Sequence, residues 1–347
     1  MVPGLWRPIV GIDAFDLQED EIDITPWLPL LCDGTGHTFE IRVNGLNDNG
    51  NGTASLSETT DDYWLVSGKI FIWLDIAGHI TTGQGPHLLT PPPTLTSTTS
   101  YLTTPNNTNA TLLYHVSAQR TLSLTSTLNL SSGSQTASWF QNRTFSNTGN
   151  LTSSGNTATN TQLTTGHDSS SSGYERSLSY DLYVYSDYET LPAGNISIVA
   201  NVNRAKKVQT TGQAVFPTGL EAFVNVAPGL QGALLSTTQN GSATYLANTT
   251  SSKSFSFGTT EQDMTLSGIR AGHGYGAQGG GDTELFYRHA LAVNGTVTVD
   301  DERVLGDSVQ HSHGHGHGNG HGDNGRGFCL NGLHGRGGKW HGSHIGL

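Results

Sequence analysis

The sequence predicts an all-β fold of antiparallel β-sandwich or jelly-roll domains, and three observations carry that expectation. Apolar residues alternate with period two wherever they are periodic at all, the spacing of a half-buried strand. Only 13% of the 347 residues are Asp, Glu, Lys or Arg, about half the usual share and too few for a helical bundle or coiled coil. Glycine supplies 45 residues and proline 12, the punctuation of a turn-rich chain.

Taken in order, Glu21–Thr25 and Thr38–Val43 alternate as strands, with the turn-forming Asp33-Gly34-Thr35-Gly36 between them. Leu46–Gly52 reads as a loop from its Asn, Asp and Gly content. Tyr63–Val66 and Lys69–Leu74 form the next strand pair; the second is apolar on both faces and is expected deep in the core. Pro91-Pro92-Pro93 opens a stiff linker. Residues 91–172 carry 36 Ser or Thr and only three charges, Arg120, Arg143 and Asp168. Alternation persists there at Leu112–Val116 and Leu122–Leu124, which fits a solvated sheet; Thr148–Ser172 is expected to be a long loop. Strands resume at Leu178–Tyr188, Ile196–Val202 and Ser254–Phe257, and Leu285–Val299 reads as a hairpin about Asn294-Gly295. The expected organisation is a β-sandwich part over 1–90, a Pro/Thr-rich linker over 91–110, a second β-sandwich over 111–304, and a disordered Gly/His-rich tail over 305–347.

Net charge is −12, so a nucleic-acid backbone would be repelled. No apolar run approaches the roughly 18–20 residues of a membrane span. Ten Asn-x-Ser/Thr sequons, from Asn51 to Asn294, favour a secretory route, although no signal peptide precedes them. Two cysteines, Cys32 and Cys329, cannot build a disulfide framework. The tail alternates His311, His313, His315 and His317 mainly with glycine, which gives adventitious affinity for divalent metals without fixed geometry. Phosphate-binding, zinc-protease and Cys-x-x-Cys motifs are absent.

Residues 1–75 hold 13 of the 28 acids, three basic residues and four of the six tryptophans. Acids mixed with indoles suit carbohydrate, since indole faces stack on sugar C–H faces while carboxylates bind hydroxyls; ordinary sandwich packing would use them equally. Within this stretch Pro3-Gly4-Leu5-Trp6-Arg7-Pro8 leads to Ile12-Asp13-Ala14-Phe15-Asp16 and then to Ile24-Thr25-Pro26-Trp27-Leu28-Pro29. Together with His37–Val43 and Trp64–Asp75, these residues resemble the peptide-N-glycosidase A family, the fungal and plant peptide-N4-(N-acetyl-β-glucosaminyl)asparagine amidases. The likeness is specific over 2–75 and looser over about 91–304.

The resemblance implies hydrolysis of the amide between an N-linked glycan and asparagine, on an N-glycopeptide or glycoprotein substrate, with no metal or other cofactor. It also implies secretion or vacuolar targeting, and an amino-terminal region beyond Met1, so that activity is expected of a longer form rather than of this chain alone. Asp13 or Asp16 would supply the carboxylate that activates water or binds substrate, and Arg7 would stabilise the oxyanion or hold a sugar. Trp6, Trp64 and Glu40 would hold the sugar. Turn capping by Asp13 and Asp16, and a buried ion pair for Arg7, are the alternatives. The rival reading is a non-catalytic glycan-binding or cell-surface β-sandwich glycoprotein.

Overall fold

The computed structural model describes residues 20–60, 67–106, 109–248, 250–270 and 283–306. Their strands pair antiparallel, as the sequence predicts, in a sandwich-like arrangement. Two short strands, β1 (Gly45–Asp48) and β2 (Ala54–Ser57), pair as a hairpin. Eleven others form one sheet: β3 (Thr82–Leu89), β4 (Thr94–Thr103), β5 (Asn109–Leu130), β6 (Gly133–Thr152), β7 (Thr157–Ser170), β8 (Glu175–Thr190), β9 (Ile196–Thr211), β10 (Leu230–Asn248), β11 (Lys253–Arg270), β12 (Thr283–Val293) and β13 (Thr296–Val304). From β5 to β13 each strand pairs with the next in sequence, an up-and-down meander.

The edge beside β5 has a particular construction. β3 pairs with the half of β5 near Asn129, and β4 with the half near Asn109. Together they are one edge strand interrupted at Thr90–Pro93. Proline cannot donate to a ladder and is confined to edges and breaks, so the triple proline opens a gap opposite Arg120–Leu122. The stretch expected as a linker is therefore largely an edge strand of the same sheet.

Thr148–Ser172, expected as a loop, holds the end of β6 and all of β7. Its polar strands are held by ladder bonds and by hydroxyl pairs between facing residues: Thr144 with Thr165 at 2.5 Å, and likewise Thr96 with Ser117 at 2.6 Å elsewhere in the sheet. On β6 the gap left by a glycine is filled by an aromatic. Gly149 faces Tyr114, whose ring occupies the space of a glycine Cβ, while its hydroxyl accepts from Asn160 Nδ2 at 2.6 Å. The Asn294-Gly295 turn forms as expected, both residues having positive φ (51° and 79°), which a tight hairpin requires.

Several expectations over residues 20–80 are overturned. Glu21–Thr25 is not a strand: Asp23 Oδ1 accepts from the Thr25 amide at 2.9 Å, and Pro26 and Pro29 start a 3₁₀ turn (Thr25–Trp27) and a helical turn (Leu28–Leu31). Thr38–Val43 and Lys69–Leu74 lack ladder partners among the described residues. The second of these lies exposed, with Trp73 at 69% and Leu74 at 91%, rather than deep in a core. Leu46–Gly52, expected as a loop, contributes most of β1 and its turn. Tyr63–Val66 and the tail from residue 307 lie outside the described residues.

The core forms on one face of the sheet, in three clusters. Ala200, Val202 and Ala243 pack beneath Leu182, Val184 and Tyr245 across β8–β10. Phe223, Ala227 and Leu285 unite the β9–β10 loop with β12. Leu124, Trp139 and Tyr174 take Trp27 from the helical turns and Phe216 from the β9–β10 loop. Trp139 is fully buried and stacks on Tyr174 at a centroid distance of 6.1 Å. This third cluster fixes residues 20–31 against β5 and β6.

Candidate functional site

Next to that cluster the same face of the sheet turns polar. Arg120, Arg143 and Gly166 face one another across β5, β6 and β7; Gln141, Asp168 and Arg176 do so across β6, β7 and β8. Because side chains alternate across a strand, residues two apart in each strand project to this one face.

The result is a charge network of three guanidinium and three carboxylate groups. Asp168 is fully buried and grips Arg143 in a two-pronged pair, Nη1–Oδ1 2.5 Å and Nη2–Oδ2 2.8 Å. Arg176, 4% exposed, lies 3.5 Å from Asp168 Oδ2 and 3.0 Å from Glu21 Oε2. Asp20 closes the network from above: Oδ1 accepts from Arg143 Nη2 at 2.7 Å, and Oδ2 from Arg120 Nη2 at 3.2 Å. Gln141 Nε2 donates to the Glu21 carbonyl at 2.9 Å and to Asp20 Oδ1 at 3.2 Å. Charges balance, as desolvated ions require.

Local sequence makes room for this. A Cβ on Gly166 would stand 2.6 Å from Arg143 Nη1, so only glycine lets the guanidinium lie across β7. Burial alone would lower the Arg143 pKa, but the Asp168 hydrogen bonds and the Asp20 and Asp168 charges raise it above its ordinary value. Burial likewise pushes the Tyr174 phenol up, reinforced by the Glu21 carboxylate. The network holds Asp20 and Glu21, and hence the chain entering at residue 20, against the sheet.

Beside the network lies a cleft of about 290 Å³. Its charged wall is Asp20, Arg120 and Arg143, and its apolar wall is Phe145, Leu178 and Tyr180. Pro93, from the interruption in the edge strand, forms its rim. A second tie reaches the β5–β6 turn, where Asp75 accepts from the Ser131 amide at 3.0 Å and from the Ser131 hydroxyl.

Of the residues singled out in the sequence, Trp6, Arg7, Asp13, Asp16 and Trp64 lie outside the described residues. Glu40 is on the surface, paired with Arg42 at 2.9 Å and 69% exposed. Asp16 precedes Asp20 by four residues, which span at most about 14 Å of extended chain. Sequence reading singled out none of the network residues as functional. The available signal was that Arg120, Arg143 and Asp168 are the sole charges of a long Ser/Thr stretch; all three meet here. Cys32 is a partly buried free thiol. No helix among the described residues is long and apolar enough to cross a membrane.

Comparison with known proteins divides the chain at this network. Residues 1–87 match the family described as peptide N-acetyl-beta-D-glucosaminyl asparaginase amidase A, and residues 113–188 match the PNGase A C-terminal domain. The peptide-N4-(N-acetyl-beta-glucosaminyl)asparagine amidase A of Prunus dulcis is 36% identical over 83 residues, 24% of this chain and 12% of the almond protein. The aligned stretch thus spans about an eighth of that relative's length. No solved structure matches. Asp20 and Glu21 come from the first matched segment, and Arg120, Gln141, Arg143, Asp168 and Arg176 from the second. The chain therefore carries segments similar to the amino-terminal and carboxyl-terminal domains of the peptide-N-glycosidase A family, and they meet at one charge network.

Proposed function

We propose that this chain is part of a secreted or vacuolar glycoamidase that hydrolyses the amide joining an N-linked glycan to asparagine. The observation that carries the reading is the junction of both family-like segments at the Asp20–Arg143–Asp168 network, directly after the Trp6–Asp16 motif. Anchoring residue 20 limits how far the Asp13 and Asp16 carboxylates can stand from the cleft. In this proposal one of them activates water, Arg7 stabilises the oxyanion, and Trp6, Trp64 and Glu40 hold the sugars. The amide carbon takes the hydroxyl oxygen and its C–N bond breaks, leaving an aspartyl peptide and a glycosylamine that then loses ammonia to water. Phe145, on the apolar wall of the cleft, offers a further flat face for a sugar ring.

The test is glycan release from a small N-glycopeptide, with conversion of asparagine to aspartate read by mass. It compares the chain alone with the chain fused behind the amino-terminal region of the almond relative. Release by the fusion that drops about 10²-fold in Asp13→Asn or Asp16→Asn, with unchanged melting temperature, is the expected result. Glycopeptide bound by both proteins and released by neither favours a non-catalytic glycan-binding β-sandwich.

A further inference from the structure

Remote from the chain's amino-terminal motif in sequence, the last three strands carry a cluster that the glycoamidase reading does not use. Asp263 on β11 faces His289 on β12, which faces Asp301 on β13. These three therefore share one side of the sheet, and Glu261, two residues before Asp263, projects to the same side. One ligand atom each from Glu261, Asp263 and His289 lie within 4.8 Å of one another. Asp263 Oδ1 accepts from the Tyr287 hydroxyl at 2.8 Å and stands 3.0 Å from His289 Nδ1. That contact leaves Nε2 facing the Glu261 carboxylate at 3.9 Å. A carboxylate orienting an imidazole while its other nitrogen meets a second donor is the arrangement that supports metal-bound histidine. The separation is close to twice the zinc–ligand distance of about 2 Å, so an ion fits between them with small side-chain movements.

Arg303, on the same side, is otherwise engaged: it pairs with Glu284 and lies over the Tyr287 ring. Two carboxylates, Glu261 and Asp263, thus flank a single imidazole. The geometry points to a divalent transition-metal site, suited to zinc, with His289 Nε2 and Glu261 as ligands and Asp263 as orienting group or third ligand. Asp301 is opposite His289 in the cross-strand register and is the further carboxylate that could close on the ion. One nitrogen with several carboxylate oxygens fits zinc or manganese better than copper(I).

The experiment is calorimetric titration with zinc chloride of the full chain in which the eight histidines from His311 onward are replaced by asparagine, so that the tail does not compete. One equivalent should bind, and His289→Gln and Glu261→Gln should each weaken it by tenfold or more. His115→Gln, elsewhere on the sheet, should not. Melting temperatures in EDTA should be unchanged for both variants, which separates lost ligation from lost folding. Absence of saturable binding, or equal binding in wild type and His289→Gln, would overturn the site and leave His289–Asp263 as a surface ion pair.

Discussion

Residues 67–80 and β5–β7 behave oppositely to their compositions. The first stretch, Lys69-Ile70-Phe71-Ile72-Trp73-Leu74, is the most apolar in the chain, yet it lies exposed without a ladder partner among the described residues. The second is crowded with Ser and Thr, yet it forms strands of 22, 20 and 14 residues in continuous register. Apolar patterning states which face seeks cover. Strand formation depends on whether a neighbour of matching register exists, and β5 to β7 are joined by turns that supply one at once. The Ser/Thr sheet then concentrates its burial at a few sites, Trp139 and Asp168 above all.

That contrast can be broken most forcefully at Trp139. Its replacement by alanine should cost about 3–5 kcal/mol in urea denaturation, because Tyr174, Phe216 and Leu124 all rest on it. A cost below about 1 kcal/mol would mean that the polar sheet needs no such anchor.

Next in size is Asp168→Asn, which leaves Arg143 and Arg176 facing each other without their shared counter-ion. Removing one partner of a buried ion pair costs about 3–5 kcal/mol at the upper end. The loss should be accompanied by release of residues 20–32, seen as faster amide exchange of Trp27 and Cys32, which are bonded within that segment.

A smaller, pH-dependent effect belongs to Asp75. The Ser131 hydroxyl first, then the Ser131 amide, hold its carboxyl down at about 2 against an ordinary 3.8. A folded-state pKa below the unfolded one adds stability above the unfolded value, and that stability disappears as pH falls through the folded value. Wild type should therefore exceed Asp75→Asn in stability at pH 7, and the gap should narrow below pH 3.8 and close near pH 2. A gap independent of pH would remove Asp75 as a tie to the β5–β6 turn.

The smallest effect should come from Leu74→Ser. At 91% exposure it should change stability by less than about 0.5 kcal/mol. A large loss would show that the apolar stretch is covered in solution.

Fold class was legible because period-two alternation survives any composition. Strand extent was not, since Thr148–Ser172 offers little apolar alternation and its pairing depends on β6 and β8, which no local window contains. Glu21–Thr25 alternates like a strand, but Asp23 and Pro26 impose a turn chemistry that outweighs the pattern. The network was half-legible. Three isolated charges in a charge-poor strand region are expensive unless paired, so Arg120, Arg143 and Asp168 could have been read as partners. Their link to Asp20 and Glu21 could not, because more than a hundred residues separate Asp20 from Arg143.

Under the proposed glycoamidase reading an N-glycopeptide lies in the cleft beside that network. A glycopeptide carrying a diazirine next to its glycosylated asparagine, photolysed on the protein and mapped by mass spectrometry, tests this directly. Crosslinks are expected within residues 1–21 and at the cleft wall around Arg120 and Phe145, suppressed by excess unlabelled glycopeptide. Suppressible crosslinks confined to β10–β13, or none at all, would contradict it.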